Sequence, residues 1–470
     1  MRYFQPNPQP DGEAEPTPTD ASARAATNPL PAAAPGEQAR GPRGSWRSFA
    51  SGLAVILAGT AVVVLVIMNS EPKQKAPLPN PVSDGTNDPP KLTSLPPNPP
   101  QPARTDPDGK AAEWVLSIGG GVRVKTAAGV KGTSTPNTLP AEPFTVYGVY
   151  LQGSGDKVMD AELEHFKELK DVTVLALSNV RLTDAGLAHL KSLTELETLQ
   201  LDNTGVTGTG LEHLRGFTKL TVLTLENTPL TDAGLAHLTG MTGLTLLDLS
   251  RTKVTDAGLA HLKGMNSLRQ LSLSRTPVTD AGLAHLKGMT GLTYLNLGQT
   301  KVTGAGFAHL TELSGLVQLH LYGTAVTGAG LEHLRGMKTL RSLYLGGTPV
   351  TDAGLEYLSR LTQLQTLELS ETRITDAGLA HFKGMTELSI LGLGRTGVTD
   401  AGLEHLKGMT SLVNLYLSDT GVTDAGLVHL AKLGKLRNLH LNRTKVTLAG
   451  VETLVQALPN CKFEFETLDP

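Results

Sequence analysis

The sequence predicts an α/β solenoid, a coil of stacked strand–turn–helix units whose strands join in one parallel sheet, preceded by a single transmembrane helix. Two series with one period and one apolar run carry that expectation. The leucine of "DAGL" falls at Leu187, Leu211, Leu235, Leu259, Leu283, Leu331, Leu355, Leu379, Leu403 and Leu427, with Phe307 and Val451 in the same series, and every step is 24 residues. A second segment, L-x-x-L-x-L, keeps that step through "LETLQL", "LTVLTL", "LTLLDL" and on to "LRNLHL". Its first leucine runs from Leu196 to Leu436 and Val172 begins it one unit earlier, making twelve segments. The apolar run is "FASGLAVILAGTAVVVLVIM", Phe49–Met68, without a charge.

The totals fit this reading. A chain of 470 residues is long for one core, but a repeat array lengthens without enlarging a single core. The formal net charge of −3 gives no bulk attraction to nucleic acid. Aromatics are only 4%, as a uniformly aliphatic core would have. The one cysteine, Cys461, cannot close an intramolecular disulfide, so the fold needs none.

Residues 1–48 are rich in Pro, Ala and Gly without an apolar period, and read as a disordered tail. Residues 49–68 suffice to cross a hydrocarbon core of about 30 Å. A buried core helix is the rival reading, but the flanking sequence offers nothing to bury it. A cleavable signal peptide is disfavoured by the long leader and the length of the run. Arg40, Arg43 and Arg47 precede the span, and Lys73 and Lys75 follow it. The positive-inside rule then puts the amino terminus in the cytoplasm by one charge. Residues 69–110 form a proline-rich spacer, extended and semi-rigid. In 111–157, "AEWVLSIGGGVRVKTAAG" and "PFTVYGVYLQG" suggest a small β cap. Gly119–Gly121 lacks the Gly-Lys-Ser/Thr of a phosphate loop and reads as a turn.

Residues 158–454 are the array, and each column has a physical reason. The last two leucines of L-x-x-L-x-L lie two apart and so point to one face of a short strand. Thr252 and its counterparts can hydrogen-bond neighbouring backbone in the turn. Thr255 or Asp256 can cap the helix that follows. Leu259 and Leu262 share its inward face. Gly264 suits the helix end, and Gly258 lets adjacent helices approach. Residues 455–470, with "LVQALPNCKFEF", read as a carboxy-terminal cap in which Cys461 is a small buried apolar residue.

This pattern resembles the leucine-rich-repeat family, whose L-x-x-L-x-L motif recurs every 20–29 residues. The resemblance spans residues 158–460. Where that family commonly places Asn or Cys, this chain places Thr, from Thr204 through Thr228 and Thr252 to Thr444. "ITDAGL" is also similar to the cysteine-containing subclass known from F-box proteins, but no F-box-like segment precedes the array. Anchor, spacer and array together resemble bacterial membrane-anchored repeat proteins. Some of those carry a cytoplasmic kinase, for which a 48-residue tail is expected to be too short. The resemblance implies a right-handed horseshoe with a parallel concave sheet and convex helices. It also implies a role in binding.

The array holds no HExxH, GxSxG, paired CxxC or Gly-Lys-Ser/Thr loop, so no enzyme and no cofactor are expected. Eleven of the thirteen histidines form one column, from His165 through His261 and His285 to His429. A metal ladder would require about four convergent donors. Tyr357 and Thr453 occupy the same column, and a surface position on the helix flank is expected instead. The Asp column, Asp184 through Asp256 to Asp424, suggests helix caps rather than calcium.

Residues alternating with the buried leucines face the concave surface. There Tyr294, Asn296, His320, Tyr322 and Tyr344 gather, with small neighbours such as Ser272, Ser274 and Gly346, and with Arg251 and Arg275 at the edge. Tyrosine offers wide amphipathic contact at low entropic cost, so these residues are the candidate ligand site. The expected function is recognition of a protein or cell-surface ligand by a single-pass, membrane-tethered module with extracytoplasmic repeats, in a bacterial periplasm or on the cell surface. The alternatives are a structural cell-envelope repeat protein, favoured by the near-identical units, or an intracellular adaptor of F-box-like type if the orientation is reversed.

Overall fold

In each unit the strand contributes its leucines to one side and its intervening residues to the other. Leu247 and Leu249 are fully buried, while Leu246 and Asp248 lie on the opposite face. A computed structural model describes residues 104–152 and 154–466. Among these, sixteen strands form one sheet. Strands β4 to β15 are three residues each, from Val174–Ala176 to Asn438–His440, and pair in parallel in sequence order. The register repeats the sequence period, so that Leu247 lies beside Leu271 and Leu319 beside Leu343. The leucines of neighbouring units therefore stack into a continuous core.

The turn after each strand is closed by threonine. Thr252 Oγ1 donates to the Leu249 carbonyl at 2.7 Å, with only 5% of the residue exposed. The same bond recurs in every unit from Thr204 to Thr444. It satisfies a carbonyl that the turn removes from the sheet ladder. The residue before each of these threonines has left-handed backbone, φ +58° at both Arg251 and Arg275. That bend keeps the ladder going, because the Arg251 N–H reaches the Ser274 carbonyl of the next unit at 2.7 Å.

The helical elements behind the sheet are shorter than expected. One α turn, Asp256–Leu259, runs into a 3₁₀ turn, Ala260–Leu262, and Leu259 and Leu262 are fully buried. In other units the segment is 3₁₀ throughout, as at Gly282–Leu286. Gly264 closes the segment with φ +90°, as its sequence position suggests.

The Asp column corrects the sequence reading. Thr255 Oγ1 does accept from the Ala257 N–H, at 3.3 Å. Asp256, however, caps nothing in its own helix. Its carboxylate bonds forward into the next unit, accepting from the Thr279 N–H at 2.8 Å and the Thr279 hydroxyl at 2.6 Å. Asp232 holds Thr255 the same way, and so do Asp376 with Thr399 and Asp424 with Thr447. Gly258 is glycine because a Cβ there would collide with the Asp232 carboxylate of the preceding unit. The close approach expected at Gly258 is thus an approach to a side chain.

Both ends depart from expectation. The segment read as alternating β at 111–118 is helical. Helix α1, Pro107–Ser117, is capped by Asp106, which accepts from the Gly109 N–H at 2.6 Å, and has Pro107 at its first position. Ala111, Ala112, Val115 and Leu116 are buried at helical spacing. Strands β1 (Gly121–Thr126), β2 (Gly129–Thr133) and β3 (Thr145–Tyr150) follow, and β3 joins β4 in parallel. Gly119 is the expected turn, at φ +87°. At the other end, helix α2 (Leu448–Ala457) leads to β16 (Lys462–Glu464), which extends the sheet beside β15. Cys461 is only half-buried against the core, not enclosed as expected. Burial still pushes its thiol up to about 11. No helix among the described residues is long and apolar enough to cross a membrane; the expected span, residues 49–68, lies outside them.

A candidate recognition surface on the open sheet face

The sheet face away from the core carries the candidate residues, and the 24-residue register decides which of them meet. Tyr294 and Asn296 lie in β9 (Tyr294–Asn296), His320 in β10 (Gln318–His320) and Tyr344 in β11 (Ser342–Tyr344). The His320 ring stacks on Tyr344 with centroids 4.1 Å apart and planes 20° apart. Tyr294 leans diagonally onto the other side of His320 at 5.0 Å. Three of the predicted residues therefore form one aromatic ladder across three strands. Tyr322 goes elsewhere. Its ring lies back over Gly298, where a Cβ would collide with it, and its hydroxyl reaches Ser274 Oγ, two units away, at 3.4 Å.

Beside the ladder is an open cavity of about 450 Å³. Tyr294, Asn296, Tyr322, Arg251 and Arg275 line it, whereas His320 and Tyr344 stand outside it. Its floor is made by small side chains: Ser272 and Ser274 line it, and Ser250 Oγ and Ser272 Oγ hydrogen-bond at 2.6 Å. The expected small neighbours are what create the space.

Among the lining residues that escaped the sequence reading are two acids, Glu226 and Asp248. Asp248 Oδ1 accepts from the Ser250 N–H at 2.8 Å. Burial raises its carboxyl above the ordinary range, and nearby Asp202 adds to the rise. Burial also raises Glu226, with Asp248 and Asp202 adding, while Arg251 and Arg275 pull it back. Both acids were legible as members of columns that include Ser272 and Ser274. Reading outward from the tyrosines stopped short of them.

The aromatic groups are held uncharged. Burial pushes the Tyr294 phenol up to about 12 and the His320 imidazole down to about 4. His320 Nε2 is buried without a hydrogen-bond partner. A second aromatic pair, also missed, lies further along: Tyr416 stacks on His440 at 4.4 Å, and His440 Nδ1 meets Glu464 at 2.9 Å.

The rim is set by the left-handed column. It is non-glycine in ten of its positions, from Asn179 to Arg443, each holding a side chain at the sheet edge, and at the six that are neither Asn nor Asp it accepts a backbone penalty of roughly 1–2 kcal/mol apiece. In its later part these side chains neutralise one another. Arg395 bonds Glu371 at 2.6 Å and Asp419 at 3.3 Å, and Arg443 bonds Asp419 at 2.5 Å. Arg251 and Arg275 have no ion pair among the described residues.

The histidine column lies on the helix flank, half-buried to exposed. Its contacts are ordinary packing, such as His165 stacked on Trp114 at 4.5 Å and His237 Nδ1 beside Arg215 at 3.1 Å. Among the described residues no three His, Cys, Asp or Glu side chains gather as a metal would require.

Comparison with known proteins agrees with this architecture. Residues 218–278 and 336–359 match two family models, each described as a leucine-rich repeat. An internalin of Listeria monocytogenes is similar in structure, with a TM-score of 0.54 and 23% identity, covering 65% of this chain and 83% of that one. A leucine-rich-repeat protein of Leptospira interrogans gives a TM-score of 0.49 and 19% identity, covering 64% of this chain and 80% of that one. No curated protein matches significantly. With its 24-residue step, the parallel pairing of β3 to β16 and the two repeat-model matches, the chain is a leucine-rich-repeat protein.

Proposed function

We propose that this chain is a recognition module, without enzymatic activity, that binds a protein partner on the open face of its sheet between β7 (Leu246–Asp248) and β11. The observation that carries this is the aromatic ladder Tyr294–His320–Tyr344 beside an open cavity. The core does not need these rings, because the leucines on the other side of the same strands already fill it. Large rings held in fixed orientation lose little entropy on binding.

The module is tethered to a membrane through residues 49–68, with residues 69–110 as spacer, the amino terminus in the cytoplasm and the repeats outside it. The uncharged apolar run and its basic flanks support this reading. Protease added to spheroplasts should remove the repeats, and full protection of them would reverse the orientation.

Binding itself is tested in intact cells with a photo-crosslinking residue at Ser342, on the open face, or at Glu332, on the helix side. A discrete adduct to one protein is expected from position 342 only. An adduct from position 332 alone, or none from 342, would overturn the assignment of this face.

A further inference from the structure

We infer that the cavity receives a lysine or arginine side chain from an extended segment of the protein partner, its cation meeting Asp248, while Arg251 and Arg275 hold an acidic side chain of the same segment. This rests on the reading of the open face as a protein-binding surface and adds the chemistry of what it binds.

The first support is a comparison of arginines at equivalent positions. Arg251, Arg275, Arg395 and Arg443 all occupy the left-handed turn position, 24 or a multiple of 24 residues apart. Arg395 and Arg443 are each bridged to a carboxylate from a neighbouring unit. Arg251 and Arg275 are not, and the residues flanking them in the column are Asn227 and Gln299. Glu226, which lines the same cavity, feels both guanidiniums without an ion pair to either, so neither is bridged within the chain, and Arg is well suited to hold an incoming carboxylate through two parallel hydrogen bonds.

The second support is Asp248. It lies low among the open-face side chains, held by Ser250, with no cation against it. A carboxylate withdrawn from water without a counter-charge is costly, and a cation that reaches it restores much of that loss. The groups around it suit a long basic side chain. Tyr294 and Tyr322 line the same cavity, and an aromatic ring attracts a cation placed within about 6 Å of its centre. The space of about 450 Å³ comes from Ser272 and Ser274. The complementary charges also lie close together, since Asp248 and Arg251 belong to one unit and Arg275 to the next, on strands spaced about 4.8 Å.

The test uses blocked heptapeptides of Gly and Ser carrying one Arg and one Asp at separations of one to four residues, with citrulline for Arg or Asn for Asp as neutral counterparts. Binding to the repeat-containing protein is read by fluorescence anisotropy. At least one Arg/Asp peptide should bind about tenfold or more tightly than its citrulline form. Asp248→Asn should erase that difference. Arg251→Gln with Arg275→Gln should instead erase the preference for Asp over Asn. Ser272→Tyr, which fills the cavity, should abolish both; Tyr344 and Tyr416 stand in the same column as Ser272, so the backbone there accepts tyrosine. Circular dichroism confirms that each variant is folded. Equal binding of the Arg and citrulline peptides, failure of every peptide to bind, or a preference that survives Asp248→Asn would each overturn the proposal. If the adduct from position 342 still forms in that event, recognition by this face stands and only its assigned chemistry is wrong. If the adduct is missing as well, the recognition reading fails with it.

Discussion

The helix side and the open sheet face share one 24-residue step but use it in opposite ways. On the helix side the step is repeated almost without change. Asp232 holds Thr255, Asp256 holds Thr279 and Asp376 holds Thr399, through the same pair of bonds. On the open face one column reads Asp248, Ser272, Asn296, His320, Tyr344, Glu368, Gly392. Repetition marks the positions where a unit must fit its neighbour. Variation marks those where it need not, and the cavity and the aromatic ladder lie among the latter.

The sharpest way to break this comparison is at Gly258. In an open helix Ala exceeds Gly by about 1 kcal/mol. Here Gly258→Ala should destabilise by about 2–4 kcal/mol, because the methyl displaces the Asp232 carboxylate and its bonds to Thr255. Asp232→Ala should itself cost about 1–3 kcal/mol. Adding Gly258→Ala to it should then cost little, since the obstructing oxygen is gone. Urea unfolding of the two single variants and the double variant measures the coupling. Additive losses would mean that the glycine and the aspartate serve separate purposes.

An effect of similar size belongs to the open face. His320 is held neutral, with its imidazole down at about 4 against an ordinary value of about 6.5. A depressed histidine contributes stability that is complete above the unfolded value and is lost as pH falls through the folded one. Between pH 6.5 and 4 the loss should reach roughly 3 kcal/mol. The raised carboxyls of Asp248, Glu226 and Glu368 act in the opposite direction. Their ionisation weakens the fold as pH rises, so acidification through their folded values returns stability. His320→Phe keeps a ring between Tyr294 and Tyr344 while removing the orphaned Nε2. Amide exchange across β10 should slow less steeply with rising pH in that variant than in the parent, after correction for intrinsic exchange. Identical profiles would locate the acid sensitivity elsewhere.

What the sequence revealed follows the same division. The leucine and threonine columns were legible because each acts within its own unit, where a period and a local turn suffice. The aspartates were misread because capping is a local pattern, whereas their partners lie 23 residues on, as Asp256 and Thr279 do. Only the stacking of units brings those together. The left-handed turn position was hinted at by Asn179, Asn203 and Asn227, a residue that tolerates that backbone, but Arg, Gln and Glu in later units hid it. Residues 111–118 looked like a strand because their alternation was read without Asp106 and Pro107, which start a helix. On the open face the tyrosines were visible individually. The cavity was not, because it arises from serines that are unremarkable in any one unit.

The smallest expected effect separates the two kinds of arginine at the rim. Arg395 bridges Glu371 and Asp419, yet its side chain is 58% exposed. Exposed pairs contribute about 0–1 kcal/mol, so Arg395→Gln should lower stability by no more than that. The loss should shrink further in high salt, which screens exposed charge. Arg275→Gln removes a guanidinium that has no ion pair among the described residues and acts on Glu226 only at longer range, so its loss should be smaller than that at Arg395. The neutral side chain retains most of the stem that packs at the rim. The difference is measured by comparing both variants with the parent in urea at low and high salt. A salt-sensitive loss at position 275 as large as that at 395 would reveal an internal partner for Arg275, and the rim there would then be as closed as it is at Arg395. A smaller loss at 275, with a salt-sensitive loss at 395, would leave Arg275 as a charge that the fold itself uses little.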